Sequence, residues 1–279
     1  MVSEKWFAQL PLKQIESVTP VSGGDINEAF RVETIDATYF VLRQPNHDAS
    51  FYDHEVEGLH LLSQAALVPQ VIGSGTIGDD AFLILNWINT GHGSQRDLGH
   101  LVATVHQVHA DQFGFHTNVT NGKLPKINTW QSDWLTFYFN QRLDVLVNRA
   151  EEHGLWNANR QHHFEQFKPQ FELENAHRTI LPSLLHGDLW SGNYLFTADG
   201  QPMLIDPDVF YGDRELDLAM TTIFGGFDED FYDAYNQVYP IDPGFEDRLP
   251  GYQLYYLLAH LNLFGESYGG AVDRILSRY

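Results

Sequence analysis

Cysteine is absent from the 279 residues, which excludes disulfides, thiolate-bound zinc and a cysteine nucleophile. That absence suits a reducing compartment, so the expected location is cytoplasmic. Long apolar runs are missing too. The densest, from Ala81 to Ile88, is far too short to cross a bilayer, and no basic region followed by an apolar core opens the chain. Positive charge is scarce: 16 Lys and Arg stand against 37 Asp and Glu, for a net charge of −21. Such a balance argues against nucleic acid and anionic membranes as partners. It would favour cationic substrates only mildly, because salt screens the field beyond about 8–10 Å. With 43% hydrophobic and 19% charged residues the composition is that of a globular protein, and the chain is long enough for one large domain or two lobes.

What the chain does carry is concentrated between Leu184 and Met220. His186-Gly187-Asp188-Leu189 is followed by Asn193 and, beyond a short apolar segment, by Asp206. This order matches the pattern H-x-D-L-x-x-x-N with a later metal-binding Asp, the arrangement that kinases use for phosphoryl transfer. The residue types suit that chemistry. A hydroxyl attacking the terminal phosphate of ATP needs a carboxylate to orient it and accept its proton, which gives Asp188 the role of base. Mg²⁺ prefers hard oxygen ligands, which the Asn193 amide and the Asp206 carboxylate can supply. Leu195-Phe196 and Met203-Leu204-Ile205 flank the turn signal Thr197-Ala198-Asp199-Gly200, so a β-hairpin is expected between Asn193 and Asp206. His186 is expected to brace the loop through its ring nitrogens, and Asp217 to cap the next helix or brace the same loop. Taken singly, Asp188 and Asp206 also read as helix or turn caps.

Upstream, the pattern predicts a short helix over 4–10 and strands over 15–21, 29–34 and 39–43, with Ser22-Gly23-Gly24-Asp25 between the first two. A glycine-bearing turn can bring backbone N–H groups to phosphates. In a kinase-like fold the third strand carries the phosphate-holding cation, partnered by a helix Glu. Arg43 and Glu55, the latter on a helix predicted over 51–63, are the expected pair. Val71-Ile72 and residues 81–88 would complete a five-stranded sheet. Asn86, Trp87 and Ile88 would form a hinge whose backbone meets the adenine edge. Residues 97–109 show helical spacing; His106 and His109 on it read as packing or exposed histidines, since no third ligand completes a metal site. Asn128 or Thr129 is expected to cap a helix bearing Trp130, Trp134, Phe137, Tyr138 and Gln141. That aromatic stripe reads as core, with one end, at Trp130, free to line an acceptor pocket. Residues 143–177 look helical, and two more helices are expected over 245–278.

The segments SGGDINEAF, LLHGDLWSGN, IDPDVFYGDRELDLAMT, NTWQSDWLTFYFNQRL and YQLYYLLAHLNLFG together resemble the fructosamine (ketosamine) kinases, within the aminoglycoside phosphotransferase and choline kinase-like branch of the protein-kinase-like fold. The resemblance covers most of the chain. It implies a two-lobed α+β fold, with a small antiparallel-sheet lobe over 1–88 for the nucleotide and a larger helical lobe over 89–279 for the catalytic loop and acceptor. It also implies ATP and Mg²⁺ as cofactors and phosphorylation of a sugar hydroxyl on a ketosamine, either a small glycated amine or a glycated protein lysine. Trp190 would be the stacking wall for the sugar. Leu42 departs from the family pattern by standing where the phosphate-holding lysine is usual, so Arg43 can serve only if a bulge turns it inward. Kinases of choline, aminoglycosides or sugars, and a nucleotide-binding module without catalysis, are the competing readings.

Overall fold

The structure is a computed structural model that describes residues 2–21, 27–119 and 124–279. The Gly23-Gly24 turn lies outside the described residues. Contacts divide the chain into two compact units, Met1–Ser94 with Tyr194–Pro207, and Gln95–Asn193 with Asp208–Tyr279.

In the first unit a short helix α1 (Glu4–Phe7) precedes β1 (Ile15–Val21), β2 (Glu28–Thr34) and β3 (Thr38–Gln44). A 3₁₀ turn then leads into α2 (Asp53–Leu62), followed by β4 (Val71–Ile77) and β5 (Asp80–Asn86). The strands form one antiparallel sheet in the order β1-β2-β3-β5-β4. β5 is apolar at every central position because both faces of the sheet are covered. Phe82 and Ile84 join Trp6, Phe7, Phe30 and Val41 on one face. Leu83 and Leu85 join Tyr52, Leu59, Ala29 and Leu42 on the other, the face that α2 covers.

The second unit opens with α3 (Gln95–His106), which ends three residues before the expected limit. It continues through α4 (Trp134–Tyr138), a π-helical turn over Phe139–Leu143, α5 (Asp144–Glu152), α6 (Ala158–Asn175) and the short strand β6 (Ser183–Leu185). The chain then returns to the first unit for β7 (Tyr194–Phe196) and β8 (Pro202–Leu204), the expected hairpin. That hairpin is tied to the segment before Ser94 through Gly91 N–H to Phe196 O at 2.8 Å, Ala198 N–H to Asn89 O at 2.8 Å and Leu204 N–H to Leu67 O at 3.0 Å. These bonds carry the first unit past the boundary expected at 88 and bring 194–207 into it. Last come β9 (Phe210–Gly212), antiparallel to β6, and the helices α7 (Arg214–Thr221), α8 (Glu229–Val238), α9 (Phe245–Phe264) and α10 (Gly269–Leu276).

The aromatic stripe is core, as its spacing implied. Trp134, Phe137 and Tyr138 are buried; Trp134 Nε1 donates to Tyr252 Oη at 3.0 Å and Tyr138 Oη to the Gly251 carbonyl at 2.7 Å. The helix bearing them starts later than expected. Asp133 caps α4 by accepting from Thr136 N–H at 2.7 Å, whereas Asn128 and Gln131 lie in extended chain bonded to Phe115 and Phe113. Asp217 is likewise not a cap: Asp213 caps α7. No helix among the described residues is long and apolar enough to cross a membrane.

Candidate active site

The loop from His186 to Asn193 follows β6 directly and is held at both ends. Asp217, fully buried in the first turn of α7, accepts His186 N–H at 2.6 Å on Oδ2 and Gly187 N–H at 3.0 Å on Oδ1. Asp208 N–H reaches the His186 carbonyl at 2.8 Å. Gly187 has φ +84, and a Cβ there would lie 1.9 Å from the Asp208 carbonyl oxygen, so only glycine fits. Leu189 anchors the loop in the core. Asn193 closes it. Its amide nitrogen donates to the Asp188 carbonyl at 2.8 Å and to Asp188 Oδ2 at 2.9 Å. Both amide hydrogens are thereby spent on one residue, one carboxylate oxygen of half-buried Asp188 is oriented, and the hard amide oxygen of Asn193 is left to face away. His186 Nδ1 accepts Asp188 N–H at a long 3.4 Å.

In the first unit Asp206 follows the hairpin with φ +52, a conformation that costs a residue with a Cβ energy and that clusters at functional positions. Its carboxylate, after burial, pushes the Tyr52 hydroxyl and the Glu55 carboxyl above their ordinary ranges, because a second negative charge beside it is disfavoured. Taken one by one, the Asp206 carboxylate and the Asn193 amide are oxygen donors of the kind that Mg²⁺ takes.

The expected Arg43–Glu55 pair does not form. The register of β3 runs without a bulge through Leu42 and Arg43 against both neighbours, so strand alternation puts Leu42 on the α2 face and Arg43 on the other. There the guanidinium binds Asp80 from Nε at 2.9 Å and Nη2 at 2.6 Å, also binds Glu28, and lies 5.6 Å from the Trp6 ring centroid. Among the described residues, no arginine pairs with Glu55 to offset its burial. Desolvation first, and Asp206 second, push its carboxyl up to about 8. Among the hinge residues, Asn86 N–H is taken by the Gln70 carbonyl at 3.1 Å and Trp87 N–H by the Thr38 carbonyl at 3.1 Å. Those two amides are therefore spent within the first unit, which leaves the carbonyls of the three and the Ile88 amide as the backbone groups proposed for an adenine.

Two tryptophans expected at the acceptor are exposed. Trp190 packs edge-on against Phe224 at 6.4 Å, and its ring folds back over Gly192, where a Cβ would lie 2.3 Å from it. Trp130 leans on Tyr211 at 6.1 Å. The strand-like segment before it is held by Arg142, a residue the sequence reading passed over. From the π-helical turn, Arg142 donates to the Ile127 carbonyl at 2.6 Å and to Asn128 Oδ1 at 2.7 Å, sandwiched by Phe137 and Phe210 at 4.5 and 4.2 Å. An arginine in a polar helical stretch reads as solvent-facing, so nothing local signalled its burial. Lys126 pairs with Asp208 beside the catalytic loop, another link between distant segments.

The Tyr211-Gly212-Asp213-Arg214-Glu215 segment is the frame behind the loop. Asp213 pairs with Arg178 at 2.6 Å and accepts Tyr252 Oη at 2.5 Å. Glu215, fully buried, takes Arg248 through both oxygens at 2.8 and 2.6 Å.

A loop of the H-x-D-L-x-x-x-N type in a helical unit, in one chain with a unit built on a five-stranded antiparallel sheet, defines a phosphotransferase of the two-lobed, α+β protein-kinase-like fold. The aminoglycoside phosphotransferase APH(4)-Ia shares this fold with a TM-score of 0.63 at 16% identity, covering 98% of this chain and 97% of that one. The chain belongs to the fructosamine kinase family, whose model matches residues 2–279. It is 61% identical over 278 residues to the probable ketoamine kinase of Lactiplantibacillus plantarum, covering 100% of this chain and 99% of the relative. It is 34% identical to the chloroplastic protein-ribulosamine 3-kinase of Oryza sativa subsp. indica, over 95% of this chain and 79% of that protein. A candidate fructosamine-3-kinase from Thermobifida fusca superposes with a TM-score of 0.85 at 31% identity, covering 95% and 94%.

Proposed function

We propose that the protein is an ATP-dependent kinase that phosphorylates a sugar hydroxyl of ketosamines, with Asp188 as the base. The observation that carries this reading is the Asp188–Asn193 contact at 2.9 Å. It holds one carboxylate oxygen and leaves the other to meet a hydroxyl. As the acceptor oxygen bonds to the γ-phosphorus, its proton passes to Asp188 and the bond from that phosphorus to the ADP oxygen breaks. Asn193 and Asp206 are the proposed ligands of Mg²⁺, which when bound neutralises phosphate charge. Asp217 keeps the loop in place by holding two of its amides. Trp190, with Phe224 behind it, offers a flat apolar face for the sugar, and Trp130 a second one.

An acceptor panel in a coupled ADP assay tests the reaction. Turnover is expected with fructosyl-lysine and other glycated amines; phosphorylation of choline or an aminoglycoside but no glycated amine would overturn it. Comparing fructosyl-lysine with a glycated protein decides between small and protein-bound acceptors. Asp188→Asn is expected to cut kcat by orders of magnitude with ATP binding nearly intact.

A second reading, nucleotide binding without catalysis, draws on Leu42 and the distant Arg43. Wild-type protein that binds ATP yet turns over no acceptor would favour it.

A further inference from the structure

His106 sits at the C-terminal end of α3, fully buried, and its ring is bonded on both sides. Nε2 lies 3.1 Å from Asp217 Oδ2 and Nδ1 lies 2.9 Å from Tyr235 Oη. Asp217 Oδ2 is the same oxygen that holds His186 N–H at 2.6 Å. The imidazole is therefore one bond removed from the backbone of the catalytic loop, though it is 80 residues earlier in the chain.

The direction of the hydrogen bonds follows from the far end. Arg214 can only donate, and its Nη1 lies 3.5 Å from Tyr235 Oη, with further bonds to the Tyr239 carbonyl at 2.9 Å and the Pro240 carbonyl at 2.5 Å. Burial pushes the Tyr235 hydroxyl well above its ordinary range, so it keeps its proton. With its oxygen accepting from Arg214, that proton points to His106 Nδ1. Nδ1, accepting from Tyr235, carries no hydrogen of its own, so the ring hydrogen is on Nε2, aimed at Asp217. No buried side-chain nitrogen or oxygen of His106, Asp217, Tyr235 or Arg214 is without a partner, the condition under which a buried polar network rigidifies its surroundings.

We propose that His106 is a positioning residue for phosphoryl transfer: by donating from Nε2 to Asp217, in the tautomer set by Tyr235 and Arg214, it fixes the carboxylate that holds the His186 and Gly187 amides, and so aims Asp188. The inference rests on the reading of Asp188 as the base. Among the described residues, the side-chain bonds of Asp217 other than this one go to the two amides it is meant to steady, and small misplacement of a catalytic group costs rate steeply, about 10²-fold per ångström. None of His106, Asp217, Tyr235 and Arg214 is among the residues proposed to hold the nucleotide.

The test compares His106→Leu, His106→Gln and Tyr235→Phe by steady-state kinetics and by amide hydrogen exchange of the nucleotide-free protein. Leucine fills the volume without a donor; glutamine can return an N–H near the position of Nε2. In His106→Leu, kcat is expected to fall about 10–100-fold with KM for ATP within about threefold. Exchange at the His186 and Gly187 amides should speed up selectively, while the α9 amides keep wild-type protection. His106→Gln should recover part of both, and Tyr235→Phe, which leaves the imidazole in place, should show a smaller loss in the same direction. Should His106→Leu be too unstable to measure, Tyr235→Phe and His106→Gln carry the comparison. A uniform rise in exchange with kcat per folded molecule unchanged, or glutamine no better than leucine, means a packing role and overturns the proposal. Failure of the parent reading looks different: Asp188→Asn would retain turnover, while the exchange result would still judge His106.

Discussion

Arg43 and Glu55 lie on opposite sides of the same sheet: Arg43 is held by Asp80 and Glu28 beside Trp6, and Glu55 is on the helix that covers Leu42. Arg43→Ala should therefore leave KM for ATP within about twofold of wild type, and lower Tm by a few degrees because it strands half-buried Asp80. A large rise in KM would show that the guanidinium serves the nucleotide after all. The complementary change, Leu42→Lys, places an ammonium on the α2 face with Glu55. It should lower KM for ATP several-fold while costing stability at a buried position; an unchanged KM would count against that face as the phosphate side.

Glu55 gives a pH signature. Its folded-state carboxyl is raised from an ordinary 4.5 to about 8, so between those values the native protein holds a proton that the unfolded chain has released. The native state binds more protons, and stability from this group falls as pH rises through the window. In metal-free protein, the Tm difference between wild type and Glu55→Gln should move against wild type from pH 5 to 8. Parallel curves would mean that Glu55 ionises normally.

Gly192 gives way to the Trp190 ring. Gly192→Ala should push the indole from its place and raise KM for the glycated acceptor about tenfold, with KM for ATP little changed. Loss of ATP binding instead would assign the tryptophan to the nucleotide.

Arg248 and Glu215 form a buried, doubly bonded pair, with Arg178 as a second partner of Glu215 at 2.9 Å. Arg248→Met should destabilise by about 3 kcal/mol, the low end for breaking a buried pair because Arg178 remains. Urea unfolding measures it, and a change below about 1 kcal/mol would place the pair among those worth little.

Much of this protein was written in local pattern. The strand pattern of Tyr39 to Arg43, the hairpin around Asp199-Gly200 and the helical spacing of Leu98, Val102 and Val105 depend on neighbours a few residues away. These features appeared where the sequence placed them. The family, too, was legible from contiguous segments such as LLHGDLWSGN.

Other features depend on residues far apart in the chain. Whether Arg43 or Leu42 faces α2 turns on strand register, since one residue of slip exchanges the two faces. The partner of Asp217 is a histidine 111 positions away, and Arg142, in the π turn at Phe139–Leu143, closes on Asn128, 14 positions before it. Residue type and spacing determined the family and the groups proposed for the chemistry. Burial and long-range pairing decided which groups hold them still, because a side chain's partner is set by where the fold brings it and not by its place in the chain.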